Sequence, residues 1–382
     1  MSTRTIGIIV NGATGRIGST QHLANALVPI RDEGGLAIGG DRVVPKLLLV
    51  GRDREKLAAL AARLDAGWTT DLDQALSDPA FQVLCDTSAT ELRPAVLAKA
   101  IAAGRHIYSE KPVAASAADG LALLRAMQAR GLKHGAVEDK LHLPGFQKLS
   151  RLLADGFFGR IVGFRLEFGW WVFDGTDIPC QRPSWNYTRS GGGGMLFDMY
   201  PHWRYVVEGL LGPIARVVAA ATTATPERID ERGQRYRVDV EDTAHALLAM
   251  ESGAVGVITS SWATRVRRDD LMTLQIDGTN GSALCGLHRC FTQSGPQVPR
   301  IAHVSIATDA GIDYAGQWSE VTAAVDPRNP YRVGWEAFLR HLHAGAPMAA
   351  DFAAGIRDVQ LAEACIRSIR DGAWVDMAPL SR

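Results

Sequence analysis

The sequence predicts an α/β protein in two parts. Short apolar strands alternate with helical segments from Thr5 to Pro112, a glycine-rich turn joins the first strand to the first helix, and the second half reads as a β-rich sheet. At 382 residues the chain is long enough for two domains with separate cores, taken here as 1–135 and 136–382.

Composition narrows the partners. Hydrophobic residues make up 47% and charged residues 21%, the profile of a globular protein. Lys+Arg and Asp+Glu both number 41, so no net charge draws the chain to nucleic acid or a membrane surface. The apolar run Ile6–Val10 is too short for a signal-peptide core or a bilayer span. Five scattered cysteines form no disulfide framework, and a reducing cytoplasm is the expected location. Cys285, His288 and Cys290 match no common zinc spacing, so no metal is expected.

Taken in order, Thr5–Asn11 is a buried strand rich in apolar and β-branched residues. It runs into Gly12-Ala-Thr14-Gly15-Arg16-Ile17-Gly18, then into a helix marked by Leu23, Leu27 and Ile30. Strand, glycine turn and helix in that order seat a pyrophosphate, because the helix N-terminus offers unpaired N–H groups and a positive dipole end. A polar, glycine-rich insert (Asp32 to Lys46) precedes a second strand, Leu47–Val50, which ends in Gly51-Arg52-Asp53. Arg52 can pair with a 2′-phosphate, favouring NADP, while Asp53 can reach a ribose hydroxyl, favouring NAD; both cofactors stay open. Further alternation follows: helix 54–64, strand near 68–70, helix 72–76, strand 82–86, helix 93–103 and strand 106–108. In such sheets ligands sit beyond the C-terminal strand ends, where Thr87, Ser88, Thr90 and the run Glu110-Lys111-Pro112 fall.

Downstream, four glycines, Gly191–Gly194, lead into Met195-Leu-Phe-Asp198-Met-Tyr200-Pro-His202-Trp-Arg204. Helical periodicity starts at Met195, so Asp198 and His202 fall on one face about one turn apart. An Asp beside an imidazole supports its charged form, as a general base requires. Pro201 weakens a continuous helix there, because proline removes a backbone bond.

On these motifs the chain resembles the glucose–fructose oxidoreductase / inositol dehydrogenase (Gfo/Idh/MocA) family. The resemblance rests on the Gly12–Gly18 loop, the run Ala103-Gly-Arg-His-Ile-Tyr-Ser-Glu110-Lys111-Pro112, and the glycine segment leading to Asp198-x-x-x-His202. It implies a Rossmann domain followed by an α/β domain with a large, mostly antiparallel open sheet, often a contact surface in homodimers or homotetramers. It also implies that Lys111 orients the reacting hydroxyl beside the nicotinamide, that His202 takes its proton, and that Asp198 is the companion of His202. Two departures stand out: Met-Tyr-Pro separates Asp198 from His202, and the glycines are spaced three and three.

Lys140 follows the exit from the first domain, and an irregular stretch, 173–194, holds Arg182, Trp185, Tyr187 and Arg189. Aromatic faces with polar neighbours suit a carbohydrate, so Lys140, Arg182, Trp185, Tyr187, Arg189 and Tyr200 are the expected substrate contacts. Arg182, Arg189, Arg204 and the run Arg265-Val-Arg267-Arg268 raise the expectation of an anionic substituent. The expected activity is NAD(P)-dependent oxidation of a hydroxyl-bearing carbon of a sugar, glycoside or cyclic polyol. The alternative is a redox glycosidase that oxidises, eliminates, adds water and re-reduces, with Tyr187, Tyr200 or Lys140 as the added base.

Overall fold

In the computed structural model, residues 2–170, 175–180, 183–265, 270–298, 313–322 and 324–380 are described. The first domain is a seven-stranded sheet in the order 36–38, 41–50, 2–11, 83–86, 106–109, 134–136, with 67–69 paired beside 41–50. All pairings are parallel except the hairpin strand Leu36–Ile38. Strand Ser2–Asn11 lies between Asp41–Val50 and Val83–Asp86, so its C-terminal end is the point where successive strands turn to opposite sides.

The insert expected between residues 32 and 46 is largely strand. Leu36–Ile38 and Asp41–Val50 form a hairpin, and the second strand begins well before Leu47. Pro45 is tolerated inside this strand because it sits where that edge has no partner. The hairpin pairs 41–43 and the short strand Gly67–Thr69 pairs 48–50, so no bond needs the missing N–H.

The second domain is a nine-stranded sheet in the order 319–320, 290–294, 281–285, 272–278, 161–169, 255–261, 243–250, 214–222, 375–376. Pairings are antiparallel except that between Ile161–Gly169 and Val255–Ser261. Alternation divides its faces: Phe164, Leu166, Leu248, Ile258, Leu274 and Ile276 are buried, whereas Val162, Leu247, Val255 and Val257 are exposed. Helices Tyr200–Leu211 and Phe352–Asp371 contribute Trp203, Val206, Val207, Leu361 and Cys365 to the buried side.

Helix Pro330–Ala344 belongs in space to the first domain. Trp335, Phe338 and Leu339 pack with Ile8, Val10, Leu23 and Leu27, while Phe352 and Ile356 pack against the opposite sheet face with Leu84 and Ile107.

Candidate active site

The dinucleotide cradle is set by backbone geometry. Gly12 has φ +78, and a Cβ there would lie 2.8 Å from Thr87 Oγ1. A Cβ on Gly18 would lie 2.7 Å from the Gly12 carbonyl oxygen. The loop folds back through Gly15 N–H to the Gly12 carbonyl and leads into a wide-wound helix, Ile17–Leu27, with no side-chain cap. Thr14, Gly15, Arg16 and Ile17 face outward around that uncapped end, where phosphate oxygens would take the N–H groups. The residues present therefore fit a dinucleotide.

Around this cradle several expected cofactor contacts have structural duties. Thr87 Oγ1 donates to the Asn11 carbonyl at 2.7 Å, and Ser88 Oγ to Asp86 Oδ2 at 2.9 Å. Thr90 is half-buried, and its carbonyl accepts from Arg93 N–H. Asp53 caps helix Arg54–Leu64, its Oδ1 accepting from Lys56 N–H at 3.1 Å, and that bond is the main cause of its lowered pKa. Arg52 is exposed beside it and makes no hydrogen bond or ion pair among the described residues.

Glu110 turns inward rather than to the cofactor. Its Oε1 is 3.0 Å from His22 Nε2, and its Oε2 accepts from Lys111 N–H at 3.2 Å. Trp335 Nε1, which can only donate, is 2.9 Å from His22 Nδ1. That fixes Nδ1 as acceptor and makes Nε2–H the donor to Glu110. The carboxylate thereby anchors the backbone at Lys111.

Lys111 projects into the cleft between domains. Its Nζ donates to the Asp198 carbonyl at 2.6 Å and to Asp198 Oδ1 at 2.9 Å. Both side chains keep a little exposure, 13% and 14%. An ammonium carries three N–H groups, so one remains for a substrate oxygen.

His202 is placed differently from expectation. Met195–Asp198 and Tyr200–Leu211 are separate helices that meet at Met199, with Pro201 in the first turn of the second. Proline is favoured at that position because its missing N–H needs no partner there. Asp198 and His202 thus lie on two helices, and Asp198 is bound to Lys111. The ring of His202 is held instead by Tyr205: Nδ1 is 2.8 Å from Tyr205 Oη, which donates to Asp139 Oδ1 at 2.9 Å. Tyr205 has one proton and gives it to the carboxylate, so it accepts from His202 Nδ1–H. With its proton on Nδ1, the neutral imidazole has Nε2 as its acceptor nitrogen.

Asp139 stays ionised although buried. Burial pushes its pKa up, but the Lys140 ammonium and hydrogen bonds from Lys140 and Tyr205 outweigh this and leave it lowered. Lys140 Nζ lies 2.6 Å from Asp139 Oδ2, so its charge is spent on this carboxylate rather than on substrate.

Most of the proposed aromatic surface is core. Tyr187 is fully buried, edge-on to Trp262 and under the Arg228 guanidinium. Tyr200 is fully buried too; its hydroxyl makes no hydrogen bond among the described residues, and burial pushes its pKa well up. Trp185 is half-exposed at 49%. Arg189 is held by its backbone N–H to Asp239 Oδ1, and its guanidinium reaches the Asp239 carbonyl. Arg182, Arg267 and Arg268 lie outside the described residues. Arg204 is buried and bonded to Asp358, Glu138 and Glu208. Cys285 and Cys290 face one another across paired strands with buried side chains, and His288 is exposed in the turn between them.

Sequence reasoning missed His22, Trp335, Tyr205 and Asp139. Only the three-residue spacing of His202 and Tyr205 was available as a signal.

A family model described as an oxidoreductase family with an NAD-binding Rossmann fold matches residues 6–138, and the GFO/IDH/MocA C-terminal domain matches residues 146–284. D-xylose dehydrogenase of Paenarthrobacter nicotinovorans is 40% identical over 99% of both chains. Levoglucosan dehydrogenase of Pseudarthrobacter phenanthrenivorans is 24% identical over the full length of both. A solved levoglucosan dehydrogenase, in complex with NADH and levoglucosan, shares the fold with TM-score 0.81 at 20% identity, covering 98% of this chain and 100% of that one. Matched at both domains and along its whole length, the chain belongs to the Gfo/Idh/MocA family of oxidoreductases.

Proposed function

We propose that the protein is a nicotinamide-dependent dehydrogenase that oxidises a hydroxyl-bearing carbon of a neutral sugar. The observation that carries this reading is that Lys111, with one ammonium proton left over, acts on the Asp139 carboxylate that lies 3.8 Å from His202 Nδ1, the imidazole itself being held by Tyr205. A bound nicotinamide dinucleotide would supply the hydride acceptor. Gly12, Gly15 and Gly18 would admit its pyrophosphate to the uncapped helix end. His202 Nε2 would take the hydroxyl proton while Lys111 stabilises the oxygen as negative charge develops.

Neutral substrates are favoured because Arg204 is saturated by carboxylates and Arg189 is turned to Asp239. Relatives named for D-xylose and levoglucosan point the same way. A redox glycosidase needs a second base; Tyr187 and Tyr200 are buried in the core, and Lys140 is bound to Asp139. Net oxidation therefore has the better support.

The test is turnover of pentoses, hexoses and anhydrosugars with NAD⁺ and with NADP⁺, followed by reduced-nicotinamide absorbance and, for aryl glycosides, aglycone release. Expected are stoichiometric cofactor reduction and a loss of about 10²- to 10⁴-fold in kcat for His202→Asn. Aglycone release without net reduction would reverse the reading.

A further inference from the structure

His202 and Asp139 come from different segments, one from the helix after the glycine run and the other from the 3₁₀ turn Asp139–His142 at the exit from the first domain. Tyr205 joins them. We infer that Tyr205 and Asp139 are the positioning residues of the base: they fix His202 with its proton on Nδ1 and stabilise the imidazolium that forms when Nε2 takes the hydroxyl proton. This rests on the assignment of His202 as the base.

Three observations carry the inference. Tyr205 Oη accepts from the Lys140 backbone N–H at 3.1 Å as well as from His202, so its single proton is committed to Asp139. The carboxylate is only 3.8 Å from His202 Nδ1, close enough for its charge to favour the imidazolium. All three side chains are buried or nearly so, His202 at 8% and Asp139 at 8% exposure, so water competes little for these bonds. Burial followed by the neighbouring Asp139 pushes the Tyr205 hydroxyl well above its ordinary range, which keeps its proton in place during turnover.

Several other charged and titratable groups surround this chain. Lys140 is bound to Asp139, Lys111 acts on Asp139 from the cofactor side, and Asp198 is bound to Lys111. Burial lowers His142, and Asp139 only partly opposes this, so His142 is neutral near pH 7. Asp139 is therefore an anion that acts on His202 through Tyr205. Its proton balance is simple: one proton arrives at Nε2 from the substrate hydroxyl, the one on Nδ1 stays, and neither Tyr205 nor Asp139 gains or loses any.

The experiment is the pH profile of kcat/KM and kcat for Tyr205→Phe and Asp139→Asn, beside the wild type and His202→Asn. Tyr205→Phe keeps the ring that packs in the core and removes only the hydroxyl. Because the base must be unprotonated, activity falls on the acid side as pH drops through the pKa of His202. Loss of the supporting anion lowers that pKa, so the acid limb should move to lower pH, by about 1 unit for Asp139→Asn. The plateau kcat should fall about 10- to 100-fold in both, with the KM for cofactor unchanged. An unmoved acid limb with kcat within about twofold of wild type in Tyr205→Phe, while His202→Asn is inactive, overturns the inference and leaves the function intact. Full turnover in His202→Asn overturns the base assignment itself. Asp139→Asn bound to NADH and melting like the wild type serves as the folding control, so a collapsed variant is not read as a kinetic effect.

Discussion

Under the proposed function, the two sides of the cleft hold their reacting groups by different means. Lys111 is tied through charge: its ammonium sits on Asp198, and its backbone is anchored by Glu110, which His22 and Trp335 hold from behind. His202 is tied through a hydrogen bond whose direction is fixed, to a tyrosine that has already given its proton away. A cation that stabilises developing charge needs only position. A base needs position and the right protonation state, and the structure spends two further residues on the second requirement.

The substitution with the largest expected effect strikes the charged side. Lys111→Ala removes the cation proposed to act at the reacting oxygen and leaves the Asp198 carboxylate without its ammonium partner. Turnover should fall by about 10³-fold or more. Cofactor binding, read by fluorescence of NADH, should persist, because Gly12–Gly18 is untouched. Retention of kcat with a raised sugar KM would show that Lys111 only binds, and the contrast between the two sides would be lost.

A smaller effect is expected behind Glu110. Trp335→Phe deletes the donor to His22 Nδ1 and opens space in a fully buried cluster. The lost donor, with only the weak Cys85 thiol left 3.5 Å from Nδ1, and the cavity should together cost about 2–4 kcal/mol in stability, measured by urea unfolding. Since Glu110 still accepts from Lys111 N–H, kcat should drop by less than about tenfold. A loss as large as that of Lys111→Ala would mean that the protonation state matters on this side as well.

Where the signal was local, the sequence was informative. Gly12, Gly15, Gly18 and the Glu110-Lys111-Pro112 run lie at strand ends that period and composition locate, and the strands and helices around them appear where expected. What local pattern cannot report is the partner. The four-residue spacing of Asp198 and His202 implied one helix face, but Pro201 starts a new helix and redirects both side chains. Tyr187 and Tyr200 have the composition of a sugar platform, yet a tyrosine has an apolar body that serves equally well in a core. Lys140 was singled out while its neighbour Asp139 was not, because the groups that make Asp139 matter come from helix Tyr200–Leu211. Helix Pro330–Ala344 completes the first domain and supports Glu110 from there, a placement that no local pattern in those residues reports.

The smallest expected effect lies far from both sides of the cleft, at Arg52. The strand Asp41–Val50 ends beside the glycine loop: a Cβ on Gly51 would lie 3.6 Å from Thr14 Oγ1. Asp53 next to it is engaged as a helix cap, which leaves the exposed Arg52 as the side chain able to meet a 2′-phosphate. Arg52→Ala should therefore weaken NADP by about tenfold, or about 1.4 kcal/mol, and alter NAD by less than about twofold. In neither case should the pH profile move, because Arg52 touches neither Lys111 nor the His202–Tyr205–Asp139 chain. Equal losses with both cofactors would assign Arg52 to the shared part of the dinucleotide. A shifted acid limb would be more consequential, since it would mean that cofactor seating reaches the base, and the two sides of the cleft would then be set together.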